Sequence, residues 1–243
     1  MTELEAIQVR TSRRSYQSTP IEQEKIDKLR SLIEECNAQS GLHIQFVEDG
    51  SAAFSGFTKS YGMFSGVRSL FAMVADVSDP HHLEKIGYFG ERLVLRATML
   101  GLATCWVGGS FDRSACPCEL RENEKLVCVI TVGYATKQVG IKERSLYRLT
   151  HLASKKVDQL YSADQTPPDW IMEGVKAVSL APSAINRKPV RVRYIDGRVL
   201  IGFDKLDVSC FIDLGIAKYH FELAAGGRFP YGNNAPFEKR SVS

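Results

Sequence analysis

The spacing of hydrophobic residues predicts an amphipathic helix near the start of the chain. Apolar residues recur every three to four positions after Pro20. The predicted buried face consists of Ile26, Leu29, Leu32, Ile33 and Cys36. Thr19 suits the N-cap, Pro20 the first turn and Glu22 a capping box. We expect a loop over residues 37–41 and then a strand over residues 42–48, which ends in Asp49-Gly50.

The second half of the chain repeats this pattern. A helix is predicted after Pro167-Pro168, with Ile171, Val175 and Val178 on one face. A loop over residues 181–189 leads into strands over residues 190–195 and 198–203. The Asp196-Gly197 pair between these strands is typical of a tight hairpin. Both halves therefore predict the order helix, loop, strand and Asp-Gly, which is a degenerate internal repeat.

Each half also contains a second, more apolar helix, predicted over residues 84–100 and 211–225. A glycine follows each of them, as is common at helix C-termini. Two more strands are predicted over residues 69–77 and 126–135. The second is an almost continuous apolar run, which is typical of a central strand.

Composition and charge exclude several classes of protein. The 243 residues are 44% hydrophobic and 24% charged, which is ordinary for a globular protein. A net charge of +3 is too small to favour nucleic acid or a membrane surface as partner. No apolar run reaches the length of a membrane span, and the acidic N-terminus does not resemble a secretory signal. Six scattered cysteines predict a reducing compartment, so we expect a cytoplasmic protein.

The chain lacks the common motifs of metal centres and nucleophilic enzymes. Cys116-Pro117-Cys118 does not have the spacing of a zinc or thioredoxin motif, and His81-His82 has no ligand at a suitable distance in sequence. His220 is expected to be a packing residue of its helix. There is no nucleophile elbow, Walker loop or GxGxxG turn, so we predict neither a metal site nor a Rossmann-type nicotinamide site.

The segment at residues 10–14 is the first candidate for ligand binding. Arg10, Ser12 and Arg14 alternate, so an extended backbone would point their side chains to one side. Two guanidinium groups and a hydroxyl in one place favour a phosphate group. A solvated basic turn is the alternative.

Two glycines and two polar loop residues are further candidates. Gly108 and Gly109 follow Trp106 and would let backbone amides approach a planar ligand, although a plain turn is the alternative. Ser183 and Asn186 lie in the loop at residues 181–189, between prolines that stop a helix. Their short side chains would reach a ligand or cap the local backbone.

Together, in this order, these segments resemble the nitroreductase family of FMN flavoproteins, and most closely its single-chain branch with two nitroreductase-like halves. The resemblance covers nearly the whole chain and rests on residues 10–14, 87–95, 101–109 and 181–189. It implies an α+β fold, with a central, mostly antiparallel sheet flanked by helices. It also implies an internal pseudo-duplication that mimics the family homodimer. The first half would span residues 1–160 and a shorter second half residues 161–243, packed as one pseudo-dimeric unit.

The resemblance further implies a flavin site between the halves. The front arginine segment would hold the FMN phosphate and ribityl chain, the glycines would face the reactive edge of the flavin, and a late lysine pair would complete the phosphate cradle. The serine-asparagine loop would reach in from the second half. The implied residues are Arg10, Thr11, Ser12, Arg14, Trp106, Gly108, Gly109, Lys155, Lys156, Pro182, Ser183 and Asn186. Because the complete set of these flavin-binding residues occurs only once in the sequence, we predict one FMN per chain.

The implied activity is that of an NAD(P)H oxidoreductase, which passes a hydride by ping-pong exchange to a nitroaromatic or quinone-like acceptor. The flavin carries this chemistry, so no catalytic side chain is predicted. We expect small-molecule partners, no nucleic acid or membrane partner, and a monomer rather than an obligate homodimer. Two alternatives stay open: a flavin-binding carrier or sensor without nitroreductase activity, and a structural or partner-binding protein that has lost flavin.

Overall fold

The computed structural model describes residues 1–55, 63–137, 140, 144, 145, 148, 156–204, 207 and 209–240. Within these ranges lie five α-helices and ten strands. The helices are α1 (Glu3–Val9), α2 (Gln23–Ser40), α3 (His82–Met99), α4 (Asp169–Leu180) and α5 (Cys210–Ala225). In the described part of the chain, no helix combines the length and apolar character needed to cross a bilayer.

The first sheet is antiparallel and has the order β1-β2-β4-β3. Its strands are β1 (Gln45–Val47), β2 (Ser69–Asp76), β3 (Ala103–Val107) and β4 (Glu124–Gly133). The two central strands, β2 and β4, are buried over most of their length, as their apolar sequences predict. The core between this sheet and the helices α2 and α3 includes the predicted face of α2.

The second sheet has the order β5-β6-β7-β9, and only β5 runs parallel to its neighbour. Its strands are β5 (Tyr161–Ala163), β6 (Arg191–Ile195), β7 (Arg198–Gly202) and β9 (Ala235–Pro236). Asp196 and Gly197 both have positive φ, 50° and 71°, as a two-residue type I′ hairpin requires. Two short strands, β8 (Gly227–Arg228) and β10 (Glu238–Lys239), form a separate pair.

Helix α3 packs against the first sheet and α5 against the second. The two helices cross with their backbones in close contact. A Cβ atom on Gly87 of α3 would lie 2.0 Å from the carbonyl oxygen of Ile212, and one on Gly215 of α5 would lie 2.0 Å from that of Glu84. Both contacts require glycine. Lys218 of α5 also forms a buried ion pair with Glu84, so the crossing is fixed by packing and by charge.

Several predicted element boundaries differ from those in the structure. Thr19 does not cap α2, which begins at Gln23 after Glu22 and has no side-chain cap. The predicted loop at residues 37–41 is mostly the last turn of α2, and Gly41 ends it with φ 74°. The first strand is limited to residues 45–47, and a 3₁₀ turn (Ser51–Phe54) follows Asp49-Gly50. Helix α1, which a Thr2–Glu5 capping box starts, was not predicted.

The fold is a mixed α+β arrangement, and its strands lie mainly in two four-stranded sheets rather than in a single central one. The order helix, strand, strand, helix occurs as α2-β1-β2-α3 and again as α4-β6-β7-α5. The two strands are separated by residues 48–68 in the first case and by a two-residue turn in the second. The internal duplication and its boundary at residue 160 therefore stay predictions.

Candidate functional site

The segment at residues 10–16 lies against the edge strand β3. The Arg13 amide donates to the carbonyl of Thr104 (3.0 Å), and Ser12 forms a parallel bridge with the same residue. Further along, the Tyr16 hydroxyl donates to the Arg13 carbonyl (2.7 Å). These contacts place the front segment next to β3, which leads to Gly108.

Two of the three predicted phosphate ligands are neighbours. Arg10 Nη1 donates to Ser12 Oγ at 3.4 Å, while the Arg14 guanidinium lies 6.0 Å above the Phe64 ring. Arg13 Nη2 donates to the carbonyl of Thr136 (2.9 Å), and Thr11 is exposed. The structure therefore brings Arg10 and Ser12 together and gives Arg14 an aromatic neighbour.

Arg10 is a largely buried cation with a weak partner. Its side chain is 10% exposed, and its Nε lies 3.9 Å from Oε1 of Glu91, a residue that is completely buried in α3. Arg10 Nε has no hydrogen-bond partner among the described residues. A buried guanidinium that lacks full compensation is suited to an anionic ligand, because such a ligand would supply the missing charge and acceptors.

Glu91 is the centre of a buried polar network. Its Oε2 accepts from Trp106 Nε1 (3.0 Å), and its Oε1 lies 3.0 Å from His220 Nε2 of α5. Burial acts to raise the pKa of Glu91, but the hydrogen bond and charge of His220, the charge of Arg10 and the Trp106 indole lower it below its usual range. The contacts of Glu91 therefore favour the ionised form of its carboxyl.

Trp106 and the two glycines have different surroundings. The Trp106 indole lies over Gly90 of α3, where an added Cβ would lie 2.3 Å from its ring. Gly108 and Gly109 are exposed, and a Cβ on either would meet nothing within 4 Å. Trp106 is thus fixed by α3, while the space above the glycines is open to a ligand.

The loop at residues 181–189 has an unusual backbone. Ile185, Asn186 and Lys188 have positive φ of 45°, 57° and 48°, and Ile185 is 72% exposed. A β-branched residue is strained in this conformation, so surrounding contacts must impose it. Strain of this kind is concentrated at ligand-binding and catalytic loops.

Ser183 and Asp213 hold this loop in place. The Lys188 amide donates to Ser183 Oγ (2.9 Å), so the Ser183 hydroxyl caps the local backbone. The Ala184 amide donates to Oδ1 of Asp213 in α5 (3.1 Å), and Asp213 Oδ2 has no hydrogen-bond partner among the described residues. Pro182 and Ser183 line a small cavity with Asp213 behind the loop.

Lys188 connects the loop electrostatically to Arg10. Its Nζ donates to the carbonyls of Ser179 (2.8 Å) and Ala181. Burial and, to a smaller extent, the charge of Arg10 lower the pKa of Lys188 to about 8, against the opposing effects of the Glu91 and Asp213 charges. The charge of Arg10 therefore acts on the back loop through Lys188.

Of the predicted late lysine pair, Lys156 is described, and the structure does not bring it to these residues. Lys155 lies outside the described residues. Lys156 is exposed at the start of a 3₁₀ turn (Val157–Gln159), and its amide donates to Gln159 Oε1 (3.1 Å). No described contact joins Lys156 to Arg10 or Ser12.

The sequence analysis missed Glu91, Lys188 and Asp213 and treated His220 as a packing residue. A signal was present, because Glu91, Asp213 and His220 occupy positions in α3 and α5 that are otherwise apolar. No group of three or more potential metal ligands occurs in the part of the chain that the structure describes.

Comparison with known proteins identifies the family. The family model described as "Putative TM nitroreductase" matches residues 3–225. A crystal structure of "a putative nitroreductase" from Thermotoga maritima is 21% identical and has a TM-score of 0.63, and the match covers 98% of this chain and 92% of that one.

Two smaller relatives cover about half of the chain. An FMN-dependent nitroreductase from Clostridium difficile is 18% identical over 55% of this chain and 87% of its own, with a TM-score of 0.46. A nitroreductase with bound FMN from Bacteroides fragilis is 17% identical over 58% of this chain and 92% of its own, with a TM-score of 0.44. No curated protein matches. From the match over residues 3–225, the chain belongs to the TM nitroreductase family.

Proposed function

We propose that this protein is an FMN-dependent NAD(P)H oxidoreductase of the nitroreductase type. Its acceptors would be nitroaromatic or quinone-like small molecules, which alternate with NAD(P)H at one site. The observation that carries the proposal is Arg10, a buried cation that lies 3.9 Å from its carboxylate partner and interacts electrostatically with the loop of the second half. Family membership supports the same chemistry.

The residues present fit a flavin phosphate. The Arg10 guanidinium turns its Nε toward Glu91, where that atom has no hydrogen-bond partner among the described residues, and its Nη side, beside Ser12, is the part left for a ligand. An oxyanion would complete the charge and the hydrogen bonds at this point. Arg14 and Thr11 would contact the phosphate or the ribityl chain, and the proposed role of Lys155 and Lys156 depends on a segment that the structure describes only from Lys156 onward.

The remaining part of the site fits a planar ring. Gly108 and Gly109 are exposed, with nothing within 4 Å of an added Cβ, so a planar ring would have room beside them, and Trp106 anchors the strand that leads to them to Glu91. Pro182, Ser183 and Asn186 would close the site from the second half. When bound, FMN would supply the hydride chemistry, and the chain would contribute orientation and positive charge.

The proposal includes one site per chain and a monomeric, pseudo-dimeric protein in the cytoplasm. The front segment supplies arginines and the second half supplies the serine-asparagine loop, so both parts of a site are present in one polypeptide.

Anaerobic addition of NADH or NADPH to the FMN-loaded protein tests this function. We expect bleaching of the flavin band near ~450 nm, followed by recovery when a quinone or nitroaromatic is added. A flavin band that neither nucleotide bleaches would contradict the enzyme and favour a flavin carrier or sensor. A purified protein that is colourless and takes up no FMN would reject both.

A further inference from the structure

We propose that Glu91 is a positioning residue for the phosphate end of the flavin site, because its buried carboxylate fixes Arg10 and ties it to the other two segments of the site. The inference rests on the proposed function, since it concerns the same site. Glu91 does not line the open space above the glycines, so it would act on a ligand through Arg10.

The Glu91 carboxylate cannot turn freely. It is completely buried in the middle of α3, and its two oxygens have different partners, Trp106 Nε1 and His220 Nε2, each at 3.0 Å. Two hydrogen bonds from rigid rings of separate elements, β3 and α5, fix both the position and the plane of the carboxylate. Glu91 is therefore a fixed negative charge.

This fixed charge orients Arg10. Oε1 of Glu91 lies 3.9 Å from Arg10 Nε, while Nη1 on the other side of the guanidinium reaches Ser12 Oγ. A guanidinium carries five N–H groups in a planar fork, so holding the Nε side toward Glu91 leaves the Nη side for a ligand. Glu91 is the only acid among the described residues that forms an ion pair with Arg10.

His220 extends the network to the second half. Its Nδ1 lies 3.0 Å from the carbonyl oxygen of Ala177 in α4, the helix that ends where the loop at residues 181–189 begins. A backbone carbonyl only accepts hydrogen bonds, so His220 Nδ1 donates to Ala177 while Nε2 faces Glu91. Glu91 is thus connected to the front arginine, to the strand before the glycines and to the helix before the back loop.

A comparison of FMN with riboflavin, which lacks the phosphate, tests the role of Glu91. Dissociation constants are measured for the wild type, Glu91→Gln, Arg10→Ala and the double variant. We expect Glu91→Gln to weaken FMN binding about tenfold and riboflavin binding less than about twofold. In the Arg10→Ala background, Glu91→Gln should have no further effect on FMN, because Glu91 acts through Arg10.

Glu84→Gln is the matched control. Glu84 is an equally buried carboxylate on the same helix, but its partners are Lys218 and the Gly232 amide. Its replacement should reduce stability and change the binding of both flavins by the same factor. If Glu91→Gln cannot be purified, Glu91→Asp, which retracts the charge, should show the same selective loss of FMN.

Equal losses of FMN and riboflavin, or an undiminished effect of Glu91→Gln in the Arg10→Ala background, would overturn the positioning role while leaving the proposed function intact. A wild-type protein that binds neither flavin would overturn the proposed function itself.

Discussion

At the scale of single residues, the loop at 181–189 is held by two buried ionisable groups. Asp213 accepts from the Ala184 amide, and Lys188 donates to two carbonyls at the end of α4. Both groups carry a desolvation cost, since burial raises the pKa of Asp213 to about 6 and lowers that of Lys188 to about 8. The loop therefore adopts its strained backbone at some expense of stability near neutral pH.

This cost predicts a pH dependence that Asp213→Asn should remove. Between the ordinary pKa of an aspartate, about 4, and its native value of about 6, the native carboxyl holds a proton that the unfolded chain has released. The native state then binds more protons, so its stability falls as pH rises through this window. Asparagine retains an oxygen acceptor for the Ala184 amide and does not titrate.

The free energy of unfolding of the wild type, minus that of Asp213→Asn, should thus decrease by about 2 kcal/mol from pH 4 to pH 7. Urea denaturation across this range measures it. Asp207→Asn is the control: Asp207 is exposed and accepts from the Ser209 hydroxyl and amide, which lower its pKa, so the corresponding difference should rise with pH. A flat profile for Asp213→Asn would show that its carboxyl is not desolvated in the native state.

At the scale of secondary-structure elements, the α3–α5 crossing sets the distance between the parts of the molecule that contain the two four-stranded sheets. Gly215→Ala would place a methyl group against the Glu84 carbonyl, 2.0 Å away, and the backbone atoms there cannot move without separating the helices. Alanine favours a helix by about 1 kcal/mol over glycine, but we expect the clash to prevail and to destabilise the protein by about 2–3 kcal/mol. Chemical denaturation of the flavin-free protein measures this.

Gly109→Ala is the control for that substitution. Its Cβ would meet nothing within 4 Å, so the stability of the flavin-free protein should change by less than about 0.5 kcal/mol. If Gly215→Ala were as stable as the wild type, the helices would not be in the close contact described.

Elements with a continuous apolar pattern could be predicted from the sequence, while those decided by single polar contacts could not. The buried face of α2, the strands β2 and β4 and the β6–β7 hairpin agree with their predictions because burial fixes their periodicity. The start of α2 was misplaced because Thr19 has the chemistry of an N-cap. The helix instead begins at Gln23, and Glu22 before it forms no side-chain cap.

At the scale of the whole molecule, the candidate site depends on contacts between residues far apart in sequence. Glu91 and His220 are 129 residues apart, and nothing local in either helix indicates their pairing. The sequence could therefore indicate candidate segments, such as that of Arg10 and the loop containing Ser183, but not the carboxylates that contact them. Those carboxylates stand out only as charged residues in otherwise apolar helices.

At this scale, we propose that the front segment and the back loop of one chain form one flavin site. Flavin-free protein is titrated with FMN, and binding is monitored by the quenching of flavin fluorescence. This titration measures the stoichiometry directly. We predict one FMN per chain, and Arg10→Ala, with its weaker affinity, should be far from saturated at the same concentrations. Two FMN per chain, one FMN shared by two chains, or no FMN bound by the wild type would contradict the account.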